Sequence, residues 1–242
     1  QLQKDVAAAY DAYEFHVVYQ KISQFASVEL SSIYLDVIKD RLYTTPADSR
    51  ARRSAQTALH HLVEALVRWI APILSFTAEE IWRHLPGARE DSVFFAEWSA
   101  LPEVASDEAL WTQVLAVREV VSRELERWRV ATGAGANLEA EVDLYAGQEL
   151  HETLLPLGDE LRFALITSAA TLARETARPQ SAAHVTLEGG DELWIAIRAA
   201  EHAKCPRCWH RRADVGSHPD HPALCGRCAT NVAGPGEDRQ WA

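Results

Sequence analysis

The stretch KCPRCWHRRADVGSHPDHPALCGRC, residues 204–228, decides how the end of this chain must fold. It holds two Cys-x-x-Cys pairs, Cys205/Cys208 and Cys225/Cys228, with sixteen residues between the inner cysteines. Two intervening residues let both sulfurs of a pair reach one ion at about 2.3 Å, and two pairs complete a tetrahedron. Residues 201–242 are rich in Cys, His, Pro and Arg and poor in apolar residues, so they need such a staple to fold. A four-cysteine zinc ribbon or finger is therefore expected, with Cys205, Cys208, Cys225 and Cys228 as ligands to one structural Zn2+. Four protein ligands leave no open position, so the ion is structural and not catalytic. Two disulfides or a redox pair are the competing readings. Redox Cys-x-x-Cys motifs are usually single and start a helix in a β-α-β context, which the sequence lacks here. His202, His210, His218 and His221 lie close enough to replace a ligand, but four cysteines make that unnecessary.

Around the knuckles lie Lys204, Arg207, Trp209, Arg211, Arg212 and Arg227, and residues 203–213 contain no acid. A cationic loop with an aromatic residue suits RNA: cations neutralise phosphate, and an aromatic plane stacks on an unpaired base. These six residues are the candidate RNA contacts. Four thiolates on Zn2+ carry a formal charge of about −2, which offsets part of the basic charge. The whole chain is acidic, with a net charge of −11, so any RNA must be met by a local patch.

Working back from the tail, 131–200 reads as a small α+β unit. Gly133 and Gly135 end a helix. LEAEVDLYA (138–146) alternates as a strand, ELHETLLPLGDELRFAL (149–165) holds one or two short helices, and ITSAATLA (166–173), AHVTLEGG (183–190) and ELWIAIRAA (192–200) are further strands. Ahead of it, Ser106-Asp107-Glu108 caps a long helix to about Val130, with Leu110, Val114, Val117, Val121, Leu125 and Trp128 on one face.

Residues 1–100 read as a helix bundle. Apolar residues recur at helical spacing through 1–43, and a second stripe (Ala55, Leu59, Leu62, Val63, Leu66, Ile70) marks a helix over about 47–71. Arg50, Arg52 and Arg53 fall mostly outside that stripe. Pro72 kinks or ends the helix, Thr77 to Glu80 fits a capping box for a short helix through His84, and Pro86-Gly87 stops it. SVFFAEW (92–98) reads as extended. The fold class is mainly α: a helix bundle over 1–100, a long helix with a small α+β unit over 101–200, and a zinc module over 201–242.

Other chemistry is absent. Gly133-Ala-Gly135 follows a helix and lacks a third glycine, so it is no dinucleotide loop. His60-His61 and Glu79-Glu80 are read as helix surface or cap, and nothing resembles a complete active site. No stretch is apolar enough to span a membrane, and no signal peptide is seen. The chain has no methionine, so a piece of a longer protein is expected.

Three blocks, VYQKISQFASVELSSIYLDVIKDRLYT (18–44), RRSAQTALHHLVEALVRWIAPILSFTAEEIW (52–82) and the tail KCPRCWHRRADVG…HPALCGRCATNV (204–232), closely resemble the bacterial isoleucyl-tRNA synthetase family, and the likeness covers nearly the whole chain. It implies a class I synthetase whose Rossmann catalytic and editing domains, with their ATP and Mg2+, would lie upstream. It implies a bundle that binds the anticodon stem and a zinc module that closes on the anticodon loop of tRNA(Ile), with Trp209 stacking on a base. A cytoplasmic monomer is expected. The stretch ATGAGANLEA (131–140) lacks the basic residues common in the family at this point. Two other readings stand beside this one: a DNA-binding finger of the formamidopyrimidine-DNA glycosylase type, and a zinc ribbon that binds protein.

Overall fold

The structure, a computed structural model, describes residues 1–98 and 100–241. In chain order the helices and strands are α1 (Leu2–Asp11), α2 (Phe15–Gln24), a π-helical stretch (Phe25–Leu35), α3 (Asp36–Thr44), α4 (Arg50–Ile70), α5 (Ser75–His84), α6 (Glu108–Thr132), β1 (Ala140–Ala146), α7 (Gln148–Leu154), α8 (Leu161–Leu165), β2 (Ala169–Arg174), β3 (Ala183–Thr186), β4 (Glu192–Ala199) and α9 (Gly226–Ala233). They fall into two compact units. The first comprises Gln1–Asp36 and Arg53–Ala105, the second Val37–Arg52 and Ser106–Ala242.

In the first unit Val6, Ala9, Val18, Ala65 and Trp69 form one core cluster. The Tyr10 hydroxyl donates to the Trp69 carbonyl at 2.6 Å. A second cluster gathers Val67, Ala71, Ala78, Trp82 and Val93. The guanidinium groups of Arg68 and Arg89 lie over the Trp82 ring at 4.7 and 4.6 Å, and both bind Glu64.

The single helix expected over 1–43 is interrupted. Tyr13 takes φ +58, and the Glu14 amide donates back to the Ala9 carbonyl at 2.8 Å, closing α1 with a Schellman-type turn. Tyrosine carries none of the glycine signal that usually marks such a turn. The capping box at Thr77 is also not used. Helix α5 starts two residues earlier, at Ser75, directly out of the turn that follows Pro72. The neighbouring Glu79 accepts from the Ser92 hydroxyl (2.8 Å) and the Val93 amide (3.2 Å). Those bonds fold SVFFAEW into a 3-10 turn over Val93–Phe95, where an extended segment was expected.

In the second unit the capping of α6 is as read: the Asp107 carboxylate accepts the Leu110 amide at 3.0 Å. Gly133, at φ +75, ends the helix. The buried stripe Leu110, Val114, Val117, Val121 and Leu125 shares a core with Val142, Leu144, Leu193 and Ile195 of the sheet. Strand order is β2-β1-β4-β3. Strands β1 and β2 are parallel and joined through α7 and α8, as parallel pairs need a crossover. Strand β4 is antiparallel to β1 and β3. Helix α3 also belongs mostly to this unit. The hydroxyls of Thr44 and Thr45 bond back to the carbonyls of Asp40 (2.8 Å) and Arg41 (2.7 Å), finishing the helix before Pro46.

Candidate metal centre and nucleic-acid interface

The first knuckle is a tight hairpin. The Cys205 amide donates to the His210 carbonyl and the Trp209 amide to the Cys205 carbonyl, both at 2.9 Å. Lys204 pairs with Arg211 across it, and the Arg212 amide donates to the Ala203 carbonyl at 3.1 Å. Pro206 suits the turn because φ is already fixed there. The turn closes with Trp209 at φ +67, a left-handed conformation that costs a non-glycine residue about 1 kcal/mol or more. The second knuckle opens α9, with Cys225 as N-cap and Cys228 in the first turn. The positive end of the helix dipole there favours thiolates. The Gly226 amide donates to Asp214 at 3.1 Å. A Cβ on Gly226 would lie 2.8 Å from that carboxylate oxygen, so glycine is what allows the approach.

All four cysteines are buried and free of disulfides, and their sulfurs lie within 4.8 Å of one another. Cys208 and Cys225 Sγ are 3.7 Å apart. A tetrahedron with metal–sulfur bonds of about 2.3 Å has sulfur–sulfur edges of about 3.8 Å, so the donor set fits one Zn2+. The thiols cannot all ionise side by side without a cation. Hydrogen bonds from Cys225 and Cys228 hold the Cys208 thiol far below its ordinary range, and the same bonds push Cys225 up to about 11 and Cys228 higher still. None of the four histidines weighed as substitute ligands joins this cluster. His210 is buried beside Cys208.

The six candidate RNA contacts divide in two. Trp209 is 61% exposed, and Lys204, also exposed, sets its ammonium 5.4 Å from the ring centroid. Arg211 is half-buried; its amide donates to the Ser168 hydroxyl at 2.7 Å and its guanidinium to the His202 carbonyl at 3.3 Å. Arg212 lies 3.9 Å from Asp159. The remaining two face inward. Arg207 Nη1 donates to the Thr44 carbonyl at 2.6 Å. Arg227 forms a two-pronged pair with Asp40 (2.6 and 2.8 Å) and reaches Glu237 at 3.1 Å. Burial works against charge at both ends of that pair, yet the Arg227 hydrogen bond and the nearby Arg227 and Arg239 charges hold Asp40 down at about 2.

Residues 1–144 match the family model described as the anticodon-binding domain of tRNA ligase. The chain belongs to that family. Residues 204–231 also match the model of the zinc finger found in FPG and IleRS, which with the four-sulfur cluster supports zinc. Isoleucine–tRNA ligase of Halorhodospira halophila is 58% identical over the whole chain. Those of Thioalkalivibrio sulfidiphilus and Pseudomonas aeruginosa are 54% and 52% identical, again over the whole chain. The chain spans 26% of the length of each of these relatives. No helix among the described residues is long and apolar enough to cross a membrane.

Residues such as Asp40, Arg162, Asp214 and Glu237, which brace the knuckles, escaped the sequence reading. Asp40 lies 187 positions from its partner Arg227, and nothing in the local sequence announces that pairing.

Proposed function

We propose that this chain is the tRNA-recognition part of an isoleucine–tRNA ligase, and that the whole enzyme joins isoleucine to tRNA(Ile) with ATP and Mg2+ bound in its catalytic part. Cys205, Cys208, Cys225 and Cys228 hold one structural Zn2+, which when bound fixes the two knuckles. The helices of 1–100 meet the anticodon stem, and the module of 201–242 meets the anticodon loop. The enzyme works as a cytoplasmic monomer.

The observation that carries this reading is the pairing of exposed Trp209 with exposed Lys204 on a knuckle held by four buried sulfurs. The ring offers a face for an unpaired base, and the ammonium meets phosphate. Arg211 and Arg212 follow on the same knuckle and add positive charge to it. The zinc finger alone does not separate RNA from DNA, since its family includes a DNA-repair type. The match over 1–144 favours tRNA.

The test is titration of the zinc-loaded chain with tRNA(Ile), a non-cognate tRNA and duplex DNA at several salt concentrations. Binding should favour tRNA(Ile) and weaken with salt. Trp209→Ala should lower affinity by about 5- to 150-fold, the equivalent of losing one base stack of about 1–3 kcal/mol. Unchanged affinity in that variant would remove the stacking role, and preference for duplex DNA would overturn the reading.

A further inference from the structure

Both knuckles carry arginine immediately before their second cysteine: Arg207 before Cys208 and Arg227 before Cys228. Both arginines grip the last turns of α3. Arg207 donates to the Thr44 carbonyl at 2.6 Å, and Arg227 clasps the Asp40 carboxylate with both terminal nitrogens. A third arginine, Arg239, reaches Asp40 Oδ1 at 2.7 Å from beyond α9. Asp40 and Arg227 are both largely buried, with side chains 14% and 12% exposed, so solvent screens their attraction little. Glu237 braces the cluster from the other side. It accepts from Arg227 and from the Asn231 amide group (2.9 Å), while its own amide donates to Asn231 Oδ1 (2.8 Å). The Arg227 and Arg239 guanidiniums also lie over the Phe163 ring, at 5.0 and 3.6 Å.

We propose that Asp40 is a positioning residue that locks the metal-binding tail onto α3, so that metal loading and the ordering of the α3 end rise and fall together. The metal fixes the backbone of each knuckle, and each knuckle aims one arginine. An Arg–carboxylate fork is orientation-sensitive, so it forms only when the backbone carrying Arg227 is fixed. Arg207 satisfies a carbonyl at the end of α3 that the helix itself leaves unpaired. Asp40 is not among the metal-binding residues; it acts through Arg227. The consequence for RNA recognition rests on the function proposed above, whereas the lock does not.

The experiment is hydrogen–deuterium exchange of the full 242-residue chain, with saturating zinc and after chelation, for the native sequence, Asp40→Asn and Asp40→Glu, alongside tRNA(Ile) titration. In the native chain, chelation should raise exchange over 38–45 by about tenfold or more. At saturating zinc, Asp40→Asn should still hold one ion per chain but show the raised exchange over 38–45 already. Chelation should add little more there, and Asp40→Glu should recover part of the protection. A native chain whose 38–45 exchange ignores chelation overturns the lock without needing any variant. So does Asp40→Asn with native protection. Failure of the native chain to bind tRNA(Ile) would overturn the proposed function and leave the exchange result to decide the lock alone.

Discussion

Nδ1 of His210 lies 3.1 Å from Nη1 of Arg162, with both side chains buried. An arginine can only donate, so His210 accepts at Nδ1 and its proton sits on Nε2. The same imidazole lies beside Cys208 and helps hold its thiol below the ordinary range. A line of three residues thus runs from α8, through an imidazole, to a sulfur of the metal cluster. Arg162 is itself held by Asp159 at 2.9 Å.

His210→Phe keeps the ring that packs 5.5 Å from Phe163 but removes both nitrogens. Outer partners that orient a metal ligand typically contribute 10- to 100-fold to affinity, so zinc affinity should fall by roughly that factor. Competition with a chromophoric chelator measures it. An unchanged dissociation constant would show that Cys208 does not depend on the imidazole.

Chelating the metal should release the tail and leave the α6–sheet core standing. Residues 204–228 have no apolar core beyond the cysteines with Val215 and Leu224, whereas the cluster from Leu110 to Ile195 is continuous. Trypsin should therefore cut at Lys204, Arg211 or Arg212 once zinc is stripped, while 108–200 resists. Equal cleavage rates with and without chelator would contradict this.

Gly236 is at φ +85, and a Cβ there would stand 2.8 Å from Pro46 Cγ. Gly236→Ala adds left-handed strain to a clash with a rigid ring, so it should destabilise the second unit by about 1–3 kcal/mol. Urea denaturation monitored by circular dichroism reads the shift in midpoint.

In the first unit, burial pushes the Glu64 carboxyl up, but hydrogen bonds from Arg68 and Arg89 outweigh it and leave the group below its ordinary 4.5. A depressed carboxylate contributes stability that is complete above the unfolded value and is lost as pH falls through the folded one. The stability gap between the native chain and Glu64→Gln should therefore be constant from pH 7 to about 5.5 and narrow below 4.5. Denaturation at stepped pH checks it, and a gap that widens on acidification would reverse the assigned sign.

Patterns that are local in the chain were legible without coordinates. The α6 stripe, its Asp107 cap and its Gly133 stop all act within a few residues of one another, as do the two Cys-x-x-Cys pairs. The Tyr13 turn was not legible, because the residue that adopts the left-handed conformation is not one that signals it. The capping box at Thr77 failed because the turn after Pro72 starts α5 already at Ser75, which puts Thr77 inside the first helical turn and too late to cap it.

Arg207 and Arg227 show the same division at the candidate site. Their charge, and their place beside cysteines, follow from the chain alone. Whether a guanidinium faces RNA or its own protein depends on which acceptor lies within about 3 Å, and only folding brings Thr44 and Asp40 there. The sequence by itself determined the helical stripes, the strand alternation and the sulfur spacing, because each is a periodicity or a reach of the local backbone. The tertiary structure alone decided which cations stay at the surface, because charge pairing is settled by distance in space and not by distance along the chain.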